Sequence, residues 1–311
     1  MMAAPKSVVP VFAVGFCSLA LFAAPLAAAP LSDTPDAAGD RGASRRVDQR
    51  FPVDGRAMVT LRNAQGRVVV KSWERSEVEV IAERASDGIE VDTAQHGNRI
   101  EVVTHLVQVG LTSPEMQANY EIHVPEETEL EIRNDSGSVA VERVYSDISV
   151  DTVLSTVELS DVSGVLTVHT VDGSFVCVRC VGRIQFTSTS GGARFLQPTS
   201  QSLHAQTLSG QLFYDGPFRP NGSYVLKTAS GEINVLMSEK DSVRLSAHSR
   251  KGSVENQVSL KPESHSLVPL GGVNSTGLVG TTGAGLARVE LTSFSGKIRI
   301  HKRDDGSPRA Q

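Results

Sequence analysis

The sequence predicts an all-β protein folded as a β-solenoid, a single-stranded β-helix-like stack of short strands. Nine glycines between positions 137 and 296 are each followed by an apolar residue two places later and usually by a second one four places later. Side chains alternate along a strand, so both apolar residues lie on one face. After residue 50, helical periodicity is nearly absent, while Val, Ile and Thr recur in short alternating runs. A turn followed by a strand, copied along the chain, is typical of repeat architectures.

The spacing of the glycines defines the repeat. The pairs are Gly137 with Val139 and Val141, Gly164 with Leu166 and Val168, Gly173 with Phe175 and Cys177, Gly182 with Ile184 and Phe186, Gly191 with Ala193 and Phe195, Gly210 with Leu212 and Tyr214, Gly231 with Ile233 and Val235, and Gly296 with Ile298 and Ile300. Gly252 keeps only Val254. Steps of 9 residues fit one strand and one turn, and steps of 19 to 21 residues fit a complete coil. We expect glycine at these corners because it adopts positive φ at low cost.

The alternative fold is an antiparallel β-sandwich or meander built from hairpins. Tight-turn pairs at Asp54-Gly55, Asp87-Gly88 and Asn221-Gly222 favour hairpins locally. The constant nine-residue step favours the solenoid.

Residues 1–29 have the pattern of a signal peptide. Lys6 precedes an apolar stretch over residues 8–26, and Ala27, Ala28 and Ala29 provide small residues for cleavage. An uncleaved membrane anchor is the alternative, because the apolar stretch is nearly long enough to span a bilayer. If the segment is cleaved as a signal peptide, we expect no membrane span in the mature chain.

The rest of the chain divides by composition. Residues 30–50 are predicted to be a disordered linker, 51–133 an N-terminal β section, 134–300 the β-repeat solenoid section and 301–311 a disordered tail. Residues 261–286 are rich in Gly, Ser, Thr and Pro and are predicted to be a loop insertion. The first section and this loop are candidates to cover the ends of the stack, where open strand edges invite aggregation.

Charge and composition limit the classes of partner. The chain has 30 basic and 35 acidic residues, a formal charge of −5, so no basic excess favours nucleic acid or anionic lipid. Aromatic residues make up only 5%, which leaves few stacking surfaces for bases or sugars.

Catalytic motifs are missing from the sequence. The eight histidines have no metal-ligand spacing, and we expect no catalytic, cofactor-binding or metal-binding residues. One rival hypothesis is a β-helix carbohydrate-active enzyme that uses the outward carboxylates Asp151, Asp161 and Asp172. The simpler interpretation is that these acids keep turns and strand surfaces soluble.

Cys177 and Cys180 remain after removal of the predicted signal. A disulfide between them requires a turn at Val178-Arg179, because residues three apart in a straight strand are too distant. Free thiols, a redox pair or half of a zinc site are the alternatives.

Several segments together resemble the DUF4097 family of putative adhesins. These are the segment from Gly66 through Val70 to Trp73, the strand leading into Val124-Pro125, the Ser-Gly units, and the Ile233-Asn234-Val235 strand with the strand over residues 243–247 that follows. The resemblance covers about residues 51–300. It implies an exported β-repeat protein of the bacterial envelope and supplies no catalytic residues. The glycine missing near Thr156 and the insertion after Leu260 depart from the family pattern.

These observations predict an exported, non-enzymatic protein of the cell envelope, in the periplasm or at the cell surface. It would act as an adhesin-like binding surface or as a structural or sensory part of the envelope. The expected partner is an envelope or cell-surface protein or a glycan, contacted by outward side chains. Those named by the pattern are Thr187, Thr189, Arg194, Gln206, Lys227, Glu232 and Asn234.

Overall fold

Two parallel β-sheets, joined at sharp corners, make up most of the computed structural model, which describes residues 45–261 and 276–303. The strands are β1 (Arg46–Pro52), β2 (Met58–Trp73), β3 (Glu77–Arg84), β4 (Ile89–His96), β5 (Arg99–Leu106), β6 (Ala118–Pro125), β7 (Glu129–Glu142), β8 (Ile148–Ser160), β9 (Ser163–Thr170), β10 (Ser174–Val178), β11 (Val181–Ser188), β12 (Gly192–Leu196), β13 (Thr199–Thr207), β14 (Leu212–Asp215), β15 (Ser223–Thr228), β16 (Ile233–Met237), β17 (Val243–Ser249), β18 (Val254–Asn256), β19 (Thr276–Thr281), β20 (Ala287–Ser293) and β21 (Ile298–Lys302). A short 3-10 helix (Ser113–Met116) precedes β6.

Each coil contributes one strand to each sheet. In sheet 1, β11 pairs in parallel with β9 and β13, and in sheet 2, β10 pairs in parallel with β8 and β12. Strands two apart in the chain are therefore neighbours, which is the pattern of a solenoid. The long strands β7 and β8 bend at a corner and belong to both sheets. The predicted all-β solenoid is confirmed, and the antiparallel sandwich is not the fold.

The order of the rungs differs from the order of the chain at both ends. The last coil, β20 and β21, lies between the β15–β16 coil and the β17–β18 coil. At the other end, β2 lies between the β5–β6 pair and β7. Both β2 and the coil of β20 and β21 are thus internal rungs of the stack.

Antiparallel pairing is found at the two ends of the stack. There β1 pairs with β3, β3 with β6, β4 with β5, and β19 with β17. β19 lies inside the segment 261–286, which the composition predicted to be a loop. A strand forms there because β17 would otherwise leave an open sheet edge.

Other predicted boundaries also differ from the structure. β1 begins inside the expected disordered linker, β21 extends into the expected tail, and the boundary at residues 133 and 134 falls within β7. The predicted signal peptide, residues 30–44 of the linker, residues 262–275 and residues 304–311 lie outside the described residues.

The inward pairs of the repeat form the core. All sixteen residues of the eight complete pairs, from Val139 to Ile300, are at most 1% exposed. Each Val, Leu, Ile or Phe among them contributes about 1.5–3 kcal/mol when it is fully buried. Aromatic rings fill the middle coils, where the ring centroids of Phe175 and Phe186 are 5.4 Å apart.

The corner glycines are required mainly by close approach between rungs. A Cβ on Gly210 would lie 1.9 Å from the carbonyl oxygen of Gly191, and a Cβ on Gly231 would lie 1.8 Å from that of Gly210. Neither glycine has a positive φ. The expectation that these corners need positive φ is therefore wrong for Gly210 and Gly231. The nine-residue step arises because successive glycines alternate between two corners of the coil, Gly173 and Gly191 at one and Gly182 at the other.

A buried ladder of polar side chains lies beside the first of these corners. Each member stands three residues before the corner residue, and the members are Asn63, Asn134, Thr152, Thr170, Ser188, Thr207, Thr228, Ser249 and Ser293. Several accept a hydrogen bond from the corner amide: Gly191 N donates to Ser188 Oγ at 2.8 Å, and Gly210 N donates to Thr207 Oγ1 at 3.1 Å. These bonds fix the corner within one rung, while Thr207 Oγ1 donates to the carbonyl of Gly191 on the neighbouring rung at 3.0 Å and so joins two corners. A Ser, Thr or Asn three residues before each corner residue is the sequence signal of this ladder, and it was not among the predicted features.

Candidate binding surface

An open groove runs across five neighbouring rungs of sheet 1, next to the glycine corner. We call it the corner groove. One wall is the sheet row Gln206, Lys227, Thr292 and His248, and the other is the corner row Thr189, Leu208, Ala229, Phe294 and Arg250. Its floor consists of the buried ladder residues Ser188, Thr207, Thr228 and Ser293. The volume is about 450 Å³, within the range of roughly 300–1,000 Å³ that ligand sites occupy.

The repeat places the corner row. Each member stands two residues before a corner glycine, next to an inward ladder residue, so alternation directs it outward. Backbone bonds join the members: Leu208 N donates to the Thr189 carbonyl at 3.0 Å, and Ala229 N donates to the Leu208 carbonyl at 3.0 Å. The row is therefore fixed by the same ladder that forms the fold.

Large apolar side chains of the corner are exposed to solvent. Leu208 is 57% exposed and Phe294 is 44% exposed. Val171 and Val153 hold the equivalent place on two earlier rungs and are 48% and 40% exposed. Contiguous exposed apolar residues in a folded protein mark interaction sites more often than isolated ones do.

Cations surround the aromatic ring of the groove. The guanidinium of Arg250 lies 5.6 Å from the ring centroid of Phe294, and the ammonium of Lys251 lies 5.1 Å from it. Lys227 Nζ is 3.3 Å from a carboxylate oxygen of Glu290. The His248 Nδ1 atom is buried without a hydrogen-bond partner among the described residues. Arg250 and Lys251 therefore supply the positive charge that is least neutralised.

The outward residues named from the sequence do face outward, but on two separate sheets. All seven are exposed or half-buried. Thr189, Gln206 and Lys227 line the corner groove, whereas Arg194 and Asn234 lie on the outer face of sheet 2. Four groove residues, Leu208, Phe294, Arg250 and His248, were not predicted. The first three stand two residues before a corner glycine, which is a signal that could have identified them.

The three carboxylates of the enzymatic hypothesis lie at different places around the coil. Asp151 is on sheet 1 between Arg133 and His169 in the register. Asp161 lies in the turn between β8 and β9, and Asp172 lies in the turn between β9 and β10. The structure does not bring them together on one face.

Asp161 has a structural partner. Arg179 donates two hydrogen bonds of 2.5 Å to the Asp161 carboxylate. These bonds, with the positive charges of Arg179 and Arg143, lower the pKa of Asp161. Arg143, Asp161 and Arg179 all have positive φ at equivalent turns, so the ion pair joins two neighbouring coils.

The two cysteines form a disulfide inside the core. The Cα atoms of Cys177 and Cys180 are 6.0 Å apart, and Arg179 between them has a φ of 51°. This is the turn that a bridge required. Both cysteines are 0% exposed, which leaves no path for a redox partner to reach the sulfur atoms in this conformation.

Within residues 45–261 and 276–303, no three His, Cys, Asp or Glu side chains are grouped so that they could hold a metal ion. In the same residues there is no helix with the length and apolar character needed to cross a membrane.

Comparison with known proteins identifies a family. The family model described as Toastrack DUF4097 matches residues 58–301. Among solved structures, a putative adhesin from Bacteroides fragilis is similar at 8% identity and a TM-score of 0.46, over 83% of this chain and 98% of that one. A putative cell adhesion protein from Clostridium sporogenes is similar at 10% identity and a TM-score of 0.29, over 83% and 100%. No curated protein matches the chain. The match over residues 58–301, on a β-solenoid with stacked glycine corners, shows that this chain belongs to the DUF4097 (Toastrack) family.

Proposed function

We propose that this protein is exported to the bacterial envelope and acts there without catalysis, as an adhesin-like protein that binds another envelope or surface molecule through the corner groove. The observation that carries the proposal is the row of exposed corner residues. Leu208 and Phe294 are exposed, although the same rungs bury every inward member of their repeat pairs. The core is complete without these side chains, so their exposure is not explained by packing within the chain. Burial against a bound partner explains it.

Export is the second part of the proposal. It is supported by the sequence of residues 1–29, where Lys6, a long apolar stretch and Ala27 to Ala29 follow the order of a secretion signal. A disulfide between Cys177 and Cys180 is compatible with an oxidising compartment outside the cytoplasm. The exported protein is proposed to reside in the periplasm or at the cell surface.

The absence of catalysis is supported by the separation of Asp151, Asp161 and Asp172 around the coil. A glycoside hydrolase needs two carboxyl groups within roughly 5–9.5 Å on either side of one bond. Asp161 is also held by Arg179, which favours a structural role for this residue.

Export is tested by cell fractionation of the full chain beside a variant that lacks residues 2–29. We expect the full chain outside the cytoplasm, with a new N-terminus after Ala28 or Ala29 by mass spectrometry, and the truncated chain in the cytoplasm. A full chain that stays in the cytoplasm at its original mass would contradict export.

Binding is tested by placing a photo-crosslinking amino acid at Leu208 and, as a matched control, at Arg194 on sheet 2. On intact cells, we expect a discrete crosslinked product from position 208 and none from position 194. Equal products from both positions would contradict a binding role for the corner groove. Release of sugars from envelope glycans that disappears in Asp151→Asn or Asp161→Asn would instead establish the enzymatic alternative.

A further inference from the structure

We propose that the corner groove binds an acidic polysaccharide whose chain lies along the solenoid axis and crosses successive rungs. This inference rests on the proposed function, because it names the class of molecule that the same surface recognises. Four features of the groove lead to it: its charge, its repeat, its walls and the direction in which it runs.

The groove is cationic on a chain that is acidic overall. Among the described residues that line it, none is Asp or Glu, while Arg250 and Lys227 contribute positive charge to its walls, that of Lys227 partly offset by Glu290 at 3.3 Å. Lys251 adds a further positive charge beside Phe294. The whole chain has a formal charge of −5, so the positive charge of the groove is local and opposite in sign to the net charge. A surface with this local positive charge attracts carboxylate or phosphate groups.

The repeat of the groove matches a linear polymer. Neighbouring strands are about 4.8 Å apart, so the five rungs offer equivalent positions at that interval. A pyranose unit in an extended glycan advances along its chain by a similar length. Consecutive sugars can therefore meet consecutive rungs, four of which offer one residue of the sheet row and one of the corner row, while the β11 rung offers Thr189 alone.

The two walls differ in the way that a sugar requires. Leu208, Ala229 and Phe294 present an apolar wall for the C–H faces of the rings. Gln206 and Thr292 on the opposite wall carry both donors and acceptors for hydroxyl groups. The Phe294 ring is accompanied by two cations, so an acidic sugar that contacts the ring also reaches a positive charge.

The direction of the groove argues against an extended peptide. Peptides that join sheets pair with a free strand edge through their backbone groups. The corner groove runs across the strands, and the backbone groups of β13, β15, β20 and β17 are already paired with their neighbours. Only side chains are available to the ligand, which suits a polymer that carries hydroxyl and carboxyl groups along its length.

The test uses the purified full chain and three soluble polymers in calorimetric titrations: polygalacturonate, the neutral glycan dextran and polyglutamate. We expect polygalacturonate to bind, its affinity to fall at least 10-fold between low and high salt because of screening, and dextran not to bind. Polyglutamate is expected to bind at least 10-fold more weakly than polygalacturonate. Equal affinity for polyglutamate would overturn the assignment, because the groove would then recognise charge alone.

Variants locate the site. Arg250→Glu with Lys251→Glu is expected to lower the affinity for polygalacturonate at least 10-fold, and Phe294→Ala about 5-fold. Arg194 and Phe213 form a similar cation–aromatic pair on sheet 2, with the guanidinium 5.6 Å from the ring. Arg194→Glu and Phe213→Ala are therefore matched controls and are expected to stay within 2-fold. Loss of binding in the controls as large as in the groove variants would overturn the proposal.

The two proposals fail separately. If crosslinking on cells succeeds at Leu208 but polygalacturonate does not bind, the ligand class is wrong and the binding function stands. If the chain is not exported, the proposed function fails even when the purified chain binds polygalacturonate through Arg250 and Lys251.

Discussion

Replacing Gly210 by alanine tests why the solenoid needs glycine at its corners. The new Cβ would lie 1.9 Å from the carbonyl oxygen of Gly191, whereas an ordinary contact begins at 3.4 Å. The difference, 3.4 − 1.9 = 1.5 Å, has to come from movement of the backbone between two rungs. The same carbonyl accepts a hydrogen bond of 3.0 Å from Thr207 Oγ1, so the movement also disturbs the buried ladder.

The magnitude follows from these two effects. Overpacking of a close-packed site costs about 1–3 kcal/mol, and a disturbed hydrogen bond costs about 0.5–1.5 kcal/mol. We therefore expect Gly210→Ala to lower the free energy of unfolding by about 2–4 kcal/mol. For a domain of this size, each kcal/mol shifts the melting temperature by about 2–4 °C. The expected decrease is then roughly 5–15 °C, measured by circular dichroism during heating and checked by urea unfolding.

Two other glycines provide controls. Gly277→Ala places its Cβ no closer than 3.4 Å to any atom and is expected to change stability by less than about 0.5 kcal/mol. Gly97 has a φ of +64° and open space, so Gly97→Ala isolates the cost of backbone conformation, about 1–2 kcal/mol. If Gly210→Ala is as stable as Gly277→Ala, or if Gly97→Ala is the more damaging substitution, close approach between rungs is not what requires glycine at this corner.

Three further predictions concern the core and the ionisable groups. Ile233→Asp places a carboxylate at a fully buried site and is expected to unfold the chain. Thr189→Asp lies on the exposed corner row and is expected to fold, with a circular dichroism spectrum like that of the wild type. The pKa of Asp161 is lowered mainly by its hydrogen bonds from Arg179. The ion pair therefore stabilises the protein above about pH 4, and this stabilisation is lost as the pH falls. The difference in free energy of unfolding between wild type and Asp161→Asn should shrink in acid, and a difference independent of pH would contradict this prediction. Burial raises the pKa of Tyr120 to about 12, above its usual value of about 10, so stability should fall as the pH rises from about 10 to 12. Tyr120→Phe should reduce this dependence in urea titrations, and the remainder comes from Tyr214 and Tyr224, whose pKa values burial also raises.

The repeat and the direction in which its side chains point are encoded locally along the chain. Period-two alternation after each glycine identified the inward pairs, and the spacing separated half-coils from whole coils. These are local properties: a residue two places after a corner has its direction set by the strand that contains it. The facing of Thr189, Lys227 and Ile233 could therefore be predicted from the sequence.

The order of the rungs and the composition of the corner groove depend instead on long-range strand pairing and are visible only in the three-dimensional fold. Neighbouring rungs are joined by backbone hydrogen bonds, which form in the same way whatever the order of the strands in the chain. Nothing local in the sequence therefore shows that β20 lies between β15 and β17. This insertion places Phe294 between Ala229 and Arg250. Without it, Arg250 would follow Ala229 directly, and the groove would lack both its aromatic ring and the pairing of that ring with two cations.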